Sequence, residues 1–262
     1  MSVLRATLVA LLDLVLPAGC GGCSLPGAPP VCSVCQVILD EPPLPWWPTP
    51  VPPGLPSCRT GGRYTDVRRE LVLNYKERGR RGLAAPLGRA MAAVVASGLP
   101  PSPGPVVLVP VPATAAAVRA RFGDHMAMLA RRCAAELGRG GIVASVAAPL
   151  WARPRPDSAH LDRFARADAA RNAFAARWPA GSPRTVALRD AADAGLVVVV
   201  DDVLTTGATL AAVAAQLGLM GAPVAFGATL AATELRAGRG AGLTRSGYAD
   251  GGDDGAPTVY RR

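Results

Sequence analysis

One short segment, residues 197–210, constrains the fold of this chain more than any other. It opens with four consecutive valines, a pattern typical of a strand buried on both faces of a parallel sheet. Two adjacent carboxylates, Asp201 and Asp202, follow this run, then a loop of threonine and glycine, and an apolar helical pattern begins at Leu210. The segment therefore predicts a strand–loop–helix unit, and ligands of such sheets bind at the carboxyl ends of the strands.

The loop of this unit has the composition of an anion-binding site. Small residues that open a helix can direct backbone N–H groups at one phosphate, and the hydroxyls of Thr205, Thr206 and Thr209 can donate to it as well. The preceding carboxylates suit sugar hydroxyls, or water molecules on Mg²⁺. A ribose 5-phosphate fits both groups. The alternative is an ordinary strand–helix unit with a chance pair of aspartates.

The cysteines near the N-terminus predict a structural metal site. Two Cys-x-x-Cys pairs, Cys20 with Cys23 and Cys32 with Cys35, are separated by eight residues. Each pair offers two thiolates on a tight turn, and together they can close a tetrahedral Cys₄ zinc site. Two disulfides or a redox motif are the alternatives, and neither explains a doubled motif in a cytosolic chain.

The apolar stretch at residues 4–16 raises the question of export. Asp13 interrupts it, Arg5 is the only positive charge before it ends, and Pro17 stands where a lipoprotein signal requires an aliphatic residue. The stretch is also too short to span a bilayer. We therefore expect a cytoplasmic protein without a membrane span, in which this segment forms an amphipathic helix packed on the domain.

The remaining patterns predict a three-part organisation within the 262 residues. Residues 1–60 carry the N-terminal helix, the cysteine module and a proline-rich linker at 41–57, residues 61–236 form an α/β domain, and residues 237–262 are expected to be a disordered tail. Helices alternating with strands imply a mostly parallel, doubly wound sheet. One predicted helix begins at Tyr64, and three others cover 83–95, 124–137 and 161–174. Besides the strand at the start of segment 197–210, strands are predicted at 106–111, 142–148, 186–188 and 224–231.

The order of these motifs resembles a known family. An apolar segment precedes the cysteine pairs, then come Tyr-Lys-x-Arg-Gly-Arg at 75–80 and Val-Pro-Val-Pro at 109–112. Last comes the segment 197–210, which is similar to the phosphoribosyl pyrophosphate (PRPP) motif of type I phosphoribosyltransferases. Over residues 1 to about 235 the chain resembles the ComF family of bacterial competence-associated, phosphoribosyltransferase-like proteins.

This resemblance implies a type I phosphoribosyltransferase-like fold, with a mostly parallel sheet flanked by helices and a small N-terminal Cys₄ zinc module. It implies PRPP with Mg²⁺ as the ligand, and transfer of the phosphoribosyl group to an unidentified acceptor in a role linked to DNA uptake. Asp201 and Asp202 would be the catalytic carboxylates, and Arg121 and the turn after residue 112 would meet pyrophosphate. The 5-phosphate loop would be Thr205, Thr206, Gly207, Ala208 and Thr209.

Several positions differ from the family pattern. Arg121 and Asp124-His125 resemble the family's Arg-Gly-aromatic-(Asn/Asp)-(Gln/His) segment, but the glycine–aromatic order is inverted as Phe122-Gly123. Residues 113–117 read Ala-Thr-Ala-Ala-Ala where the family often carries arginines. Ser158 and Ala169 stand where the family carries a glutamine and an asparagine. Groups for the 5-phosphate and ribose are retained while those for pyrophosphate are fewer. We therefore expect PRPP binding and leave turnover open.

A nucleic-acid function is the alternative. The net charge is +9, and nearly all of the positive charge is arginine, with Lys76 as the only lysine. A non-catalytic protein that handles single-stranded DNA in natural transformation, with competence proteins as partners, would use the cysteine module, Trp46-Trp47 and the cluster Arg78, Arg80 and Arg81. Together with Lys76 these arginines form one basic cluster, which is either a solvated face or a contact with phosphate or nucleic acid.

Overall fold

The computed structural model describes residues 19–121, 123–154 and 172–234. The predicted N-terminal helix and the tail lie outside these residues, as does most of the predicted helix at 161–174. The helices are α1 (Ser33–Leu39), α2 (Asp66–Lys76), α3 (Ala84–Ser97), α4 (Ala115–Ala120), α5 (His125–Arg139), α6 (Pro183–Ala194) and α7 (Ala208–Leu219). The strands are β1 (Leu44–Pro45), β2 (Cys58–Thr60), β3 (Val106–Pro110), β4 (Ala144–Val146), β5 (Leu150–Ala152), β6 (Phe174–Ala176), β7 (Leu196–Leu204) and β8 (Val224–Ala232).

Six of these strands form one mixed sheet in the order β1-β2-β8-β7-β3-β4. All neighbours in this sheet are parallel except the edge strand β1, which runs antiparallel to β2. Strands β5 and β6 form a separate antiparallel pair. These findings confirm the predicted α/β class and the mostly parallel sheet flanked by helices.

The four valines of β7 pack on both faces of the sheet, as their pattern predicts. Val198 and Val200 belong to the core under α2, α3 and α5, and Val197 and Val199 belong to the core under α6 and α7. This alternation follows from the period of two along a strand. Each valine is at most 1% exposed, so each contributes about 1.5–3 kcal/mol of burial.

The sheet topology fixes where a ligand can bind. The chain moves from β3 to the edge strand β4, but from β7 it moves to β8 on the other side, and β3 and β7 are neighbours. The loops that follow β3 and β7 therefore diverge and leave a crevice between them. Ligands of open α/β sheets bind at such a switch point, outside the carboxyl ends of the strands.

Two element boundaries predicted within residues 197–210 differ from those in the structure. Strand β7 does not end before the carboxylates but runs through Asp201 and Asp202 to Leu204, because Asp201, Val203 and Leu204 pair with β8. Helix α7 begins at Ala208, two residues before the predicted start. The carboxylates therefore lie on the strand itself.

One other predicted element is wrong, and the described end of a second differs from its prediction. Residues 186–188 are not a strand but lie inside α6, whose start is fixed by Pro183 and by the Ser182 hydroxyl that accepts from the Thr185 amide. The end of the helix predicted at 161–174 is a turn that leads into β6, because Phe174 pairs with Ala152 and is buried.

The segment predicted as an extended linker takes part in the sheet. Strand β1 pairs with β2 across Leu44 and Thr60, and β2 pairs with β8. Trp46 packs against the core under α6 and α7, whereas Trp47 is 55% exposed. The six-stranded sheet therefore begins before residue 61.

Candidate functional site

A cleft of about 390 Å³ opens at the predicted edge of the sheet. Its walls come from the end of β7, the loop after β3, helices α2 and α5, and the β5–β6 pair. The polar and charged side chains that line it are Lys76, Thr114, Arg121, His125, Arg153, Asp201, Asp202, Thr205 and Thr209. The cleft therefore brings together five of the residues that the sequence predicts for a ligand site, Asp201, Asp202, Thr205, Thr209 and Arg121.

The other three predicted loop residues shape the turn into α7. Gly207 caps this helix in the left-handed region with φ of 77°, and a Cβ there would lie 3.0 Å from the Leu55 side chain. The Thr206 hydroxyl accepts from the Ala208 amide at 3.3 Å. In the described part of the chain, the backbone amides of Thr205, Thr206 and Gly207 donate to no protein acceptor. The loop therefore presents unused N–H groups at the start of a helix.

Asp202 is a buried carboxylate that joins three elements. Its Oδ2 lies 2.7 Å from Nζ of Lys76, the last residue of α2, and 3.4 Å from Nε2 of His125, the first residue of α5. Burial acts to raise the pKa of Asp202, but the His125 ring and the Lys76 ammonium outweigh it and hold this pKa below its usual value. Asp202 therefore stays ionised and paired.

Asp201 behaves in the opposite way. Its Oδ1 accepts the backbone N–H of Asp202 at 2.9 Å. Burial, and then the negative charge of Asp202, raise the pKa of Asp201 to about 7. Neighbouring carboxyl groups whose pKa values are pushed apart are a common feature of functional sites.

Arg121 is held at the cleft by a second ion pair. Its Nε and Nη2 donate to the two carboxylate oxygens of Glu77 at 3.1 and 2.9 Å. Glu77 directly follows Lys76, so the end of α2 carries one partner for each of two ion pairs. The predicted pyrophosphate-binding arginine thus lies at the site, with its guanidinium already engaged.

His125 is fixed by its backbone. The Tyr75 hydroxyl donates to the His125 carbonyl at 2.6 Å, and Asp124 caps α5 by accepting from the Ala127 amide at 2.9 Å. The His125 side chain is 9% exposed, and its Nδ1 has no hydrogen-bond partner among the described residues. The sequence indicates His125 only through the family pattern.

Two further cations line the cleft: Lys76, which the sequence indicates only as a member of the basic cluster at 76–81, and Arg153, which sequence reasoning missed. For Lys76 a phosphate contact is one of the interpretations of that cluster, but nothing in the sequence indicates its pairing with Asp202. That pairing depends on where the end of α2 lies relative to β7, which no local pattern specifies. Arg153 follows strand β5 and carries no motif.

The arginine cluster is partly used inside the protein. Arg78 pairs with Glu70 at 3.2 Å, and Arg80 donates to the backbone carbonyls of Gly19 and Cys20. Arg81 lines a recess of about 20 Å³ beside the cleft. A solvated face and a nucleic-acid contact both require an exposed basic surface. Neither interpretation accounts for Arg80, which binds carbonyls of the cysteine module.

The four cysteines of the two Cys-x-x-Cys pairs converge. Their Sγ atoms all lie within 4.8 Å of one another, and Cys20, Cys32 and Cys35 are buried. The amides of Gly22 and Cys32 each donate to Cys20 Sγ at 3.3 Å. Burial acts to raise the pKa of Cys20, but hydrogen bonds from the surrounding backbone outweigh it and lower the pKa to about 6. This donor set could hold a metal such as zinc.

The cysteine module is attached to α2 near the cleft. Asn74 Nδ2 donates to the Gly21 carbonyl at 2.7 Å, and Arg80 binds the carbonyls beside Cys20. Lys76 and Glu77 lie between these two residues in sequence. One short segment, residues 74–81, therefore contacts the cysteine module and the cleft in turn.

No protein-family model matches the chain, and no curated protein matches it. Within residues 19–121, 123–154 and 172–234, no helix has both the length and the apolar character needed to cross a membrane.

The raised pKa of Asp201 predicts a pH-dependent effect on stability. The folded protein holds this proton more tightly than the unfolded chain, so ionisation of Asp201 destabilises the fold increasingly from its ordinary pKa of 3.8 up to about 7. Asp201→Asn cannot ionise. We expect it to raise the Tm by several degrees at about pH 8 and by less at about pH 5, measured by differential scanning calorimetry.

Asp202→Asn is the matched comparison. The lowered pKa of Asp202 means that its charge stabilises the fold above its ordinary pKa of 3.8. We therefore expect this variant to lower the Tm at about pH 8. Equal changes of the Tm in Asp201→Asn and Asp202→Asn would contradict the conclusion that the fold raises the pKa of one carboxyl group and lowers that of the other.

Proposed function

We propose that this chain is a PRPP-binding, phosphoribosyltransferase-like protein of the ComF type. The observation that carries the proposal is the cleft at the switch point, where a threonine-lined loop, two carboxylates and several cations meet. PRPP has a phosphate, a ribose diol and a pyrophosphate, and each needs one of these groups. The family resemblance of the motifs supports the same ligand.

The 5-phosphate would bind the loop at residues 205–209. The hydroxyls of Thr205 and Thr209 line the cleft, and the unused amides of the loop lie at the start of α7. A helix start favours an anion because its N–H groups and its dipole act together.

The ribose hydroxyls would bind at the carboxylates. Asp201 is the more accessible of the two, since Asp202 is 4% exposed and paired with Lys76. Ionised carboxylates accept hydrogen bonds from hydroxyl groups and from Mg²⁺-bound water, and Mg²⁺ when bound would neutralise pyrophosphate. The same charges would stabilise a sugar ring that becomes positive as pyrophosphate leaves.

Transfer to an acceptor is the reaction that such a site would support. The bond from C1 of the ribose to pyrophosphate breaks, pyrophosphate leaves with the electron pair, and the acceptor forms the new bond to C1. The alternative role in handling single-stranded DNA has less support, because Arg80 is engaged by the cysteine module and Trp46 packs on the core.

Asp201→Ala tests the ligand assignment. Loss of hydrogen bonds from two hydroxyls to one carboxylate should weaken PRPP binding by about a hundredfold or more. Calorimetric titration in the presence of Mg²⁺ measures this change, and circular dichroism checks that the fold is intact. Asp193→Ala on α6 removes the same charge from an exposed position outside the cleft and should leave binding unchanged. Unchanged affinity in Asp201→Ala would refute the site.

We also propose that the cysteine module binds one structural zinc ion. All four cysteines of the module would be ligands, so no open position remains for catalysis. Bound zinc would fix the backbone around Cys20, whose nearby carbonyls accept hydrogen bonds from Asn74 and Arg80. It would thereby stabilise the end of α2.

Elemental analysis of the purified chain should find about one zinc per chain. Cys35→Ser should lower this content and the Tm together, because it removes a ligand. Cys133→Ala, at a buried cysteine of α5 outside the module, is the control and should keep the metal. A Cys35→Ser variant that retained full zinc content would contradict the assignment.

A further inference from the structure

Two side chains at the end of α2 bind the cysteine module and do not line the cleft. Asn74 Nδ2 donates to the Gly21 carbonyl at 2.7 Å, and Arg80 donates through its two terminal nitrogens to the carbonyls of Gly19 and Cys20. Asn74 is 7% exposed, so little water is available to its amide as an alternative partner. Both side chains therefore hold the end of α2 to the module.

The residues between these two hold the cleft. The Tyr75 hydroxyl donates to the His125 carbonyl at 2.6 Å, and Lys76 Nζ lies 2.7 Å from Asp202 Oδ2. The same carboxylate oxygen lies 3.4 Å from Nε2 of His125. Because Tyr75 and Lys76 are adjacent on one helix, a displacement of its end moves both of these contacts together.

The carbonyls that the module offers belong to a tightly packed turn. A Cβ at Gly21 would lie 2.7 Å from the Leu83 side chain, and a Cβ at Gly22 would lie 2.9 Å from Cys35 Sγ. These two glycines lie between the first two cysteines of the module. The arrangement of the four sulfur atoms therefore sets the position of the turn, and with it the position of the carbonyls.

We propose that Asn74 and Arg80 are positioning residues for the cleft, through which metal binding by the cysteine module and ligand binding in the cleft strengthen each other. The coupling is reciprocal, because a metal that tightens the binding of a ligand is itself held more tightly when that ligand is bound. The identities of the metal as zinc and of the ligand as PRPP rest on the proposed function. The positioning role rests on the contacts of residues 74–81.

The ring of His125 provides a spectroscopic test that needs no ligand. The chain has two histidines, and His160→Gln assigns the nuclear magnetic resonance signals of isotope-labelled histidine rings. Asn74→Asp and Arg80→Met should each shift the His125 ring signal, because each removes hydrogen bonds to the module and releases the end of α2. Asn74→Asp has nearly the same shape and keeps the acceptor for Arg78.

Arg78→Met is the matched control. Arg78 lies between the two positioning residues in sequence, and within the described part of the chain its hydrogen bonds go to Glu70 and Asn74. The variant removes the same charge as Arg80→Met but no bond to the module, so it should leave the His125 signal unchanged. Arg80→Lys keeps a donor for the module and should return the signal part of the way to that of the unaltered chain.

Two affinities test the coupling. Arg80→Met and Asn74→Asp should weaken PRPP binding to the zinc-loaded chain by about tenfold in the presence of Mg²⁺, and Arg78→Met should change it by less than about threefold. In the unaltered chain, saturating PRPP should raise the affinity for zinc by about tenfold, measured by equilibrium competition with a chelator, and in Arg80→Met by less than about threefold. Asp201→Ala corrects for zinc that PRPP itself binds.

The outcomes separate this proposal from the proposed function. Circular dichroism and zinc content are measured for every variant. An unchanged His125 signal in folded, zinc-loaded Arg80→Met and Asn74→Asp, or an equal shift in Arg78→Met, overturns the positioning role. Absence of PRPP binding by the unaltered chain overturns the proposed function, and a His125 shift confined to Arg80→Met and Asn74→Asp still supports the positioning role.

The zinc competition decides the coupling without any variant. Equal zinc affinities with and without PRPP, in an unaltered chain that binds PRPP, overturn the coupling. This measurement also decides the case in which Arg80→Met and Asn74→Asp both fail to fold.

Discussion

The ion pair between Asp202 and Lys76 is the contact on which the arrangement of the cleft depends. It joins the central strand β7 to the end of α2, and His125 brings the start of α5 to the same carboxylate. Removing one partner of a buried pair typically costs about 3–5 kcal/mol, and the partial exposure of Lys76 lowers that figure here. Because Glu77 follows Lys76 and binds Arg121, this contact also sets the position of the Arg121 guanidinium.

The fold places this pair where a ligand can use it. The divergence of the chain after β3 and β7 opens the cleft at the carboxyl edge, and the valines of β7 hold the strand in the core on both faces. The segment at 74–81 connects the cleft to the cysteine module through Asn74 and Arg80. The cysteine cluster and the cleft are therefore neighbours on one element.

Local patterns predicted the parts that local physics decides. The valine run, the small-residue loop and the paired cysteines each specify a structure within a few residues, and the sheet class and the cysteine cluster are confirmed. The ion pairs of Lys76 with Asp202 and of Glu77 with Arg121 were not predictable, because they depend on where the end of α2 lies relative to β7 and to Arg121. The apolar residues 186–188 were misread as a strand because the Ser182–Pro183 helix start outweighs a short apolar run. The continuation of β7 through Asp201 depends on pairing with β8, which sequence alone does not show.

The most direct test of the central claim is calorimetric titration of the unaltered, folded chain with PRPP, with and without Mg²⁺. The account predicts saturable binding that strengthens when Mg²⁺ is present, because the carboxylates and the metal ion together balance the charge of the ligand. Absence of binding under both conditions by a folded chain that has been supplied with zinc would contradict it.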